Sequence, residues 1–273
     1  MLSGWGLPRV ARQPKTTATV AQLAAWFFSS HMPSSLLADA RRHAAQVGLN
    51  LFGVVDAARF DACQPKDQRI ATRWPRVGTV IVLGSGGREF WQRFAEACAR
   101  RASVGSLPAP QQFAGQCVRE VATVLQQSQL PVAVLEPEGR CPSFARLAEA
   151  AGFGTVSPVS GMLLHPVFGP WVSLRAALLV EGHPFGLIED QSITDRFQPC
   201  CSCRQPCLQA CPAPAIENGA PAHTNGVPAV PCTASSQAGP CAPTKCRCAC
   251  PIGSEHRDGV GADAPSAGVV RPG

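Results

Sequence analysis

The sequence predicts a mixed α/β (α+β) N-terminal domain joined to a small, cysteine-rich C-terminal domain. Three observations carry this. Short β-rich apolar runs alternate with stretches of helical periodicity over the first two thirds of the chain. The 273 residues are 45% hydrophobic, enough for a buried core of ordinary domain size. Composition then changes at Pro199: ten of the fourteen cysteines fall between there and Pro251, among dense Pro, Ala and Gly.

Taken in order, Ser34 and Ser35 serve as N-caps of a helix running to about Val47, and Gly48 ends it as a C-cap glycine. Leu51 to Val55 (LFGVV) suits a buried strand. Asp61 to Arg76 is polar and reads as a loop. Val77 to Leu83 (VGTVIVL) is a second strand, leading through the GSGG of Gly84–Gly87 into a helix from Glu89 to Arg101. A Gly/Pro/Ser loop occupies Ser103 to Pro110. Phe113, Cys117, Val121, Val124 and Leu125 then recur at helical spacing up to Gln127. Pro131 opens a third strand, PVAVLE. Ser143 caps a helix with Phe144, Leu147 and Ala151 on one face, and Trp171 to Val180 is apolar again. Alternation of this kind argues for layers of helix on sheet.

The expected divisions are 1–31, a disordered or misassigned extension; 32–195, the α/β domain; 196–256, the cysteine-rich domain; and 257–273, a disordered tail. In the extension Arg9, Arg12 and Lys15 precede TTATVAQLAAWFF, a faint secretory pattern broken by Gln22 and lacking a clean small-x-small site. Ordered periodicity begins just after Met32, which is the expected start of translation.

The formal charge is +6, but its Arg residues are scattered and no run of five like charges exists. A nucleic-acid surface is therefore not expected. No stretch of 18 apolar residues is present, so no membrane span is expected either, and the predicted location is cytoplasmic.

The cysteine-rich domain has too few large aliphatic side chains to offset the entropy of ordering it, so a cross-link or cofactor must hold it. Its first group, Cys200, Cys203, Cys207 and Cys211, has the spacing C-x2-C-x3-C-x3-C-P. Bacterial ferredoxins use C-x2-C-x2-C-x3-C-P, in which three thiolates on a tight loop reach one cubane and the fourth reaches a second. This chain carries one extra residue, Pro206. A second, less regular group comprises Cys232, Cys241, Cys246 and Cys250, and Pro251 again follows its last cysteine. Two such endings are the signature of a two-cluster, ferredoxin-like domain. By the crossover rule one cluster takes Cys200, Cys203, Cys207 and Cys250, and the other takes Cys211, Cys232, Cys241 and Cys246. Cys201 and Cys248 are then spare, as bystanders or as ligands in a shifted register. The expected cofactor is one or two 4Fe-4S clusters, the expected work is electron transfer, and the expected partner is a redox protein.

Three other readings stay open. Zinc takes four thiolates, though in separated pairs rather than so compact a run. Disulfides would need an oxidising compartment. A degenerate relative could keep some ligands without a working cluster. The isolated Cys98 and Cys117 lie on apolar helical faces and read as small buried hydrophobes.

Two segments together carry a family resemblance: LAEAAGFGTVSPVSGMLLHPVFGPWVSLRAALLVEG, Leu147 to Gly182, and the cysteine run that follows it. They resemble the epoxyqueuosine reductases and their reductive-dehalogenase relatives, over roughly residues 34 to 256. The match is closest at Gly152, Gly154, His165, Pro166, Phe168, Gly169, Trp171 and Leu174. The resemblance implies an α/β domain that holds cobalamin, fed by two 4Fe-4S clusters, and hence an alternative function as a cobalamin-dependent reductase with a corrinoid as partner. Two departures mark a shortened, divergent branch. Ser157 to Ser160 stand where the family has Gly-Lys-Asn before its His-Pro pair. Glu136 is the nearest acid to the position of the family's proton-donating Asp.

Other groups read more plainly. GSGG is a tight turn rather than a phosphate cradle, since G-x-G-x-x-G is incomplete. His165 caps its own loop by a hydrogen bond. His183 and His223 fall in loops, and Glu255, His256 and Arg257 form a solvated turn.

Overall fold

The computed structural model describes residues 35–101, 109–137, 142–186, 188–210, 223–224, 227–228 and 245–259. Helix α1 spans 35–46. It ends in a Schellman turn: Gly48 N–H donates to Ala45 O at 3.1 Å and Leu49 N–H to Ala44 O at 2.8 Å. Gly48 sits at φ +86°, which only a glycine adopts without strain.

Strand β1 (Leu51–Asp56) follows, and Asp56 caps the short helix α2 (Ala57–Ala62) by accepting from Arg59 N–H. The stretch after Asp61 is a loop, as expected, and it carries two short 3-10 turns. The buried Asp61 carboxylate accepts from Ile70 N–H at 2.7 Å and Ala71 N–H at 2.9 Å, and two 3-10 turns wrap around it. Strand β2 (Val77–Gly86) then runs longer than expected. GSGG is not a tight turn: its first three residues stay in the strand past a bulge at Leu83/Gly84. The ring of Phe168 lies against Gly86, where a Cβ would meet it at 2.2 Å.

Helices α3 (Glu89–Arg101) and α4 (Pro110–Gln126) come next. Pro110 is the first residue of α4 rather than part of the preceding loop, and Gln112 Oε1 accepts from Ala109 N–H at its start. Strand β3 (Val132–Leu135) leads to α5 (Phe144–Ala150), capped by Ser143 as expected. A two-residue hairpin of β4 (Thr155–Val156) and β5 (Leu163–Leu164) precedes the long strand β6 (Val172–Glu181).

The main sheet has four strands in the order β1-β2-β6-β3. Every neighbouring pair is antiparallel, with Val55 opposite Val80, Ile81 opposite Leu178 and Val134 opposite Leu178. The domain is therefore α+β; alternation along the sequence does not here mean parallel crossovers. Side chains leave the sheet alternately to two cores. Ile81, Leu83, Leu178 and Val180 pack under α1, α3 and α4. Val80, Val82, Ala177 and Leu179 pack under α2, α5 and the β4–β5 hairpin. Covering both faces explains why β2 and β6 read as continuous apolar runs. Cys117 is buried at 3% exposure in the first core, as expected. Burial, then Glu120, pushes its thiol up to about 11. Cys98 is half-buried.

Beyond β6 the described elements are short: α6 (Pro206–Gln209), the strand pair β7 (His223–Thr224) and β8 (Val227–Pro228), and α7 (Lys245–Ala249), followed by a 3-10 turn over Ser254–Gly259. No helix among the described residues is long and apolar enough to cross a membrane.

Candidate functional site

The first cysteine run forms a loop between a 3-10 turn at Pro199–Cys201 and α6. Its extra residue is absorbed by Gln205, which adopts a left-handed conformation at φ +54° immediately before Pro206 starts α6. That kink turns the Gln205 N–H onto Cys203 Sγ at 3.3 Å. Helix α6 packs against α7, which brings in Cys250 from the far end of the cysteine-rich segment.

Four thiols meet here. Burial pushes Cys207 up to about 11, and Cys250, Cys200 and Cys203 add to the rise. Burial likewise raises Cys250, with Cys200 and Cys203 again contributing. The four line one small cavity with Ser157, Ser160, Met162, Leu164 and Ile252. Among the described residues no group of three or more His, Cys, Asp or Glu side chains is placed to hold a metal ion. The four cysteines lining the cavity are those that the crossover reading groups together. Of the other four, Cys211, Cys232 and Cys241 lie outside the described residues, as does Cys141. Cys246 is buried at 9% exposure, beside Arg247. Cys201 is exposed and Cys248 half-buried.

The α+β domain supplies the opposite wall. Ser157, in the turn between β4 and β5, is 2% exposed and reaches Cys200 Sγ at 3.3 Å. The turn from His165 to Gly169 interlocks with the turn after Pro251. A Cβ at Gly169 would lie 1.9 Å from the Ile252 carbonyl oxygen, and one at Gly253 would lie 2.3 Å from the Phe168 carbonyl carbon. His165 Nδ1 accepts from Val167 N–H at 3.0 Å and Phe168 N–H at 3.2 Å, the loop cap expected of it. Burial, then the nearby His256, holds its imidazole down at about 4, so it is neutral. Phe168 contacts the rings of both His165, at 4.8 Å, and His256, edge-on at 4.9 Å. His256 therefore packs on the domain rather than standing in a solvated turn.

A second clamp is Arg247 on α7. Its guanidinium donates to Val172 O at 3.3 Å and lies 5.5 Å from the centre of the Trp171 ring. Burial lowers its pKa. Sequence reasoning missed Ser157, Gln205 and Arg247, because each acts through a partner distant in sequence or through a backbone angle.

Next to the thiols is a larger cavity of about 460 Å³, lined by Arg146, Glu149, Thr155, Ser157, Thr194 and Cys200. Cys200, Ser157 and Pro199 face both spaces and so form the partition between them. Arg146 and Glu149 also line a third cavity of about 630 Å³ along α2. Glu149 is fixed there, paired with Arg146 at 2.6 Å and accepting from Val156 N–H at 2.8 Å. Glu136 directly follows β3 and is exposed. His183 Nδ1 stands 3.5 Å from Asp56 Oδ2, away from the thiols. The side chain of His223 lies outside the described residues.

No family model matches the sequence, and no curated protein matches it. Solved structures do. A selenomethionine-labelled epoxyqueuosine reductase superposes with a TM-score of 0.56 at 15% identity, covering 82% of this chain and 67% of the other. The epoxyqueuosine reductase from Bacillus subtilis gives a TM-score of 0.55 at 18% identity, covering 82% and 66%. An epoxyqueuosine reductase crystallised with a tRNA-Tyr epoxyqueuosine-modified stem loop gives 0.56 at 15%, again covering 82% and 66%. The chain thus spans about two thirds of the length of these proteins and shares their fold.

Proposed function

We propose that this chain is an iron–sulfur protein that transfers electrons, with Cys200, Cys203, Cys207 and Cys250 holding a 4Fe-4S cluster. One observation carries the reading: three thiols from one tight loop and a fourth from the end of the cysteine-rich segment line a single small cavity. The donor set fits the group: four cysteines, three of them on one tight loop, are the ligand type a 4Fe-4S cluster takes, whereas thiolate zinc sites use separated pairs. When bound, the cluster accepts and releases one electron. The protein's part is to hold it away from water and to set its potential through hydrogen bonds and burial. We assign residues 32–195 to the α+β domain and 196–256 to the cluster domain. The second set, Cys211, Cys232, Cys241 and Cys246, is carried forward from the sequence as ligands of a second cluster, and the electron carrier is assigned to the cytoplasm with a redox protein as its partner.

The shared fold supports a second reading, a cobalamin-dependent reductase related to the epoxyqueuosine reductases. In that reading the corrinoid takes the cavities beside Cys200, and Glu136, at the end of β3, is the acid nearest to the proton-donating position. The Glu–Asp difference there and the Ser157–Ser160 replacement separate this chain from that chemistry.

The test is iron and acid-labile sulfide per chain after anaerobic purification and reconstitution. About four of each is expected from the described set, and about eight if the second set is also filled. Zinc without sulfide would overturn the proposal. Visible absorption of added cobalamin, retained through gel filtration under reducing conditions, would bring the second reading forward.

A further inference from the structure

Ser157 has a hydrogen-bonding arrangement that dictates the direction of its contact with Cys200. Its Oγ accepts from Val159 N–H at 3.2 Å and from Ser160 N–H at 3.0 Å. A hydroxyl has two lone pairs and one proton, so both accepting positions are taken. The proton is left to donate, and Cys200 Sγ stands 3.3 Å away. Ser157 is 2% exposed, so water does not compete for that proton. The residue belongs to a five-residue turn that closes on itself, with Gly161 N–H donating to Ser157 O at 2.9 Å. The hydroxyl is thus held in place by its own backbone.

We infer that Ser157 donates an O–H···S hydrogen bond to the Cys200 thiolate and thereby raises the reduction potential of the cluster. The inference rests on the cluster assignment proposed above. Reduction adds negative charge, part of which falls on the cysteine sulfurs. A fixed donor stabilises the more negative state more strongly, and the burial of the Ser157 hydroxyl strengthens its electrostatic effect. Hydrogen bonds to the sulfurs are among the quantities that set such potentials. Cys203 receives a backbone donor, Gln205 N–H at 3.3 Å, which no side-chain substitution removes. Ser157 is the adjustable donor among the described residues. It also lies in the partition between the thiols and the cavity of about 460 Å³, so it tunes the ligand that faces the larger space. Ser157 acts through Cys200 and is a positioning residue, not a catalytic one.

The experiment is a redox titration, followed by electron paramagnetic resonance, of reconstituted wild-type protein, Ser157→Ala and Ser157→Thr, each first assayed for iron and sulfide. Wild type without acid-labile sulfide would defeat the cluster assignment itself. With equal cluster content, Ser157→Ala is expected to titrate at a lower potential and Ser157→Thr, which keeps the hydroxyl, close to wild type. Equal potentials in all three would overturn the role of Ser157 and leave the cluster standing. Because Ser157→Ala also removes an acceptor from two turn N–H groups, a second measurement reads the hydrogen bond itself. The Fe–S(Cys) stretching bands of the resonance Raman spectrum should shift on exchange into D2O more in wild type and Ser157→Thr than in Ser157→Ala, which keeps only backbone donors. Equal shifts in all three would show that Ser157 contributes no donor.

Discussion

At the residue scale, chemistry at this site is decided by which atom supplies a proton or a lone pair. His165 shows this outside the thiol group. Its Nδ1 takes two backbone N–H groups and can do so only when deprotonated. The folded imidazole is held at about 4 by burial and then by His256, against an ordinary 6.5 in the unfolded chain. As pH falls below 6.5 the unfolded chain binds the proton first, so this contribution to stability is full above 6.5 and is lost as pH drops towards 4. In denaturant titrations the wild type should lose stability between pH 6.5 and 4. His165→Asn, which keeps an acceptor near the Nδ1 position but does not titrate, should lose less over that interval. Equal losses would refute the assignment. The loop-capping role of His165 was legible because a His before Pro in a short turn has few other partners. The direction of the Ser157 hydrogen bond was not, because it depends on two N–H groups and a thiol brought together by folding.

At the element scale, the legible features were those whose cause is local. Ser143 caps α5 and Gly48 closes α1, and each can be read within a few residues. Strands β2 and β6 were legible because both faces of the sheet are covered, leaving unbroken apolar runs. GSGG was misread because its cause is distant: it stays extended where Phe168 fills the space above Gly86. The segment after Asp61 was legible as a loop, but the buried carboxylate that shapes it was not. The interlocked turns at Gly169 and Gly253 are the element on which the site depends most. Gly253 sits at φ +65°, so Gly253→Ala meets a backbone strain of about 1–2 kcal/mol and a collision with Phe168. The variant should bind less iron after reconstitution, while its far-ultraviolet circular dichroism stays close to that of the parent. Wild-type iron content in this variant would show that the two turns need not touch.

For the whole molecule, the sheet places the β4–β5 hairpin, its following turn and the start of β6 at one end, and residues 199–210 and 246–256 pack against that end. Alternating strands and helices announced layers but not strand direction, which follows from how β2, β6 and β3 are joined. The crossover reading of the cysteine spacing sets Cys250 beside Cys200, Cys203 and Cys207, and these four line one cavity; that they hold a cluster is what we propose. The rest of the second group falls outside the described residues, and its role stays with the sequence argument. The central claim is that Cys250 completes one cluster with the first loop. It is tested most directly by iron and acid-labile sulfide content of Cys250→Ser beside the wild type, both reconstituted anaerobically. The account predicts a loss of up to about four irons and four sulfides per chain, or conversion to a three-iron species visible by electron paramagnetic resonance. Unchanged iron, sulfide and spectrum in Cys250→Ser would contradict it.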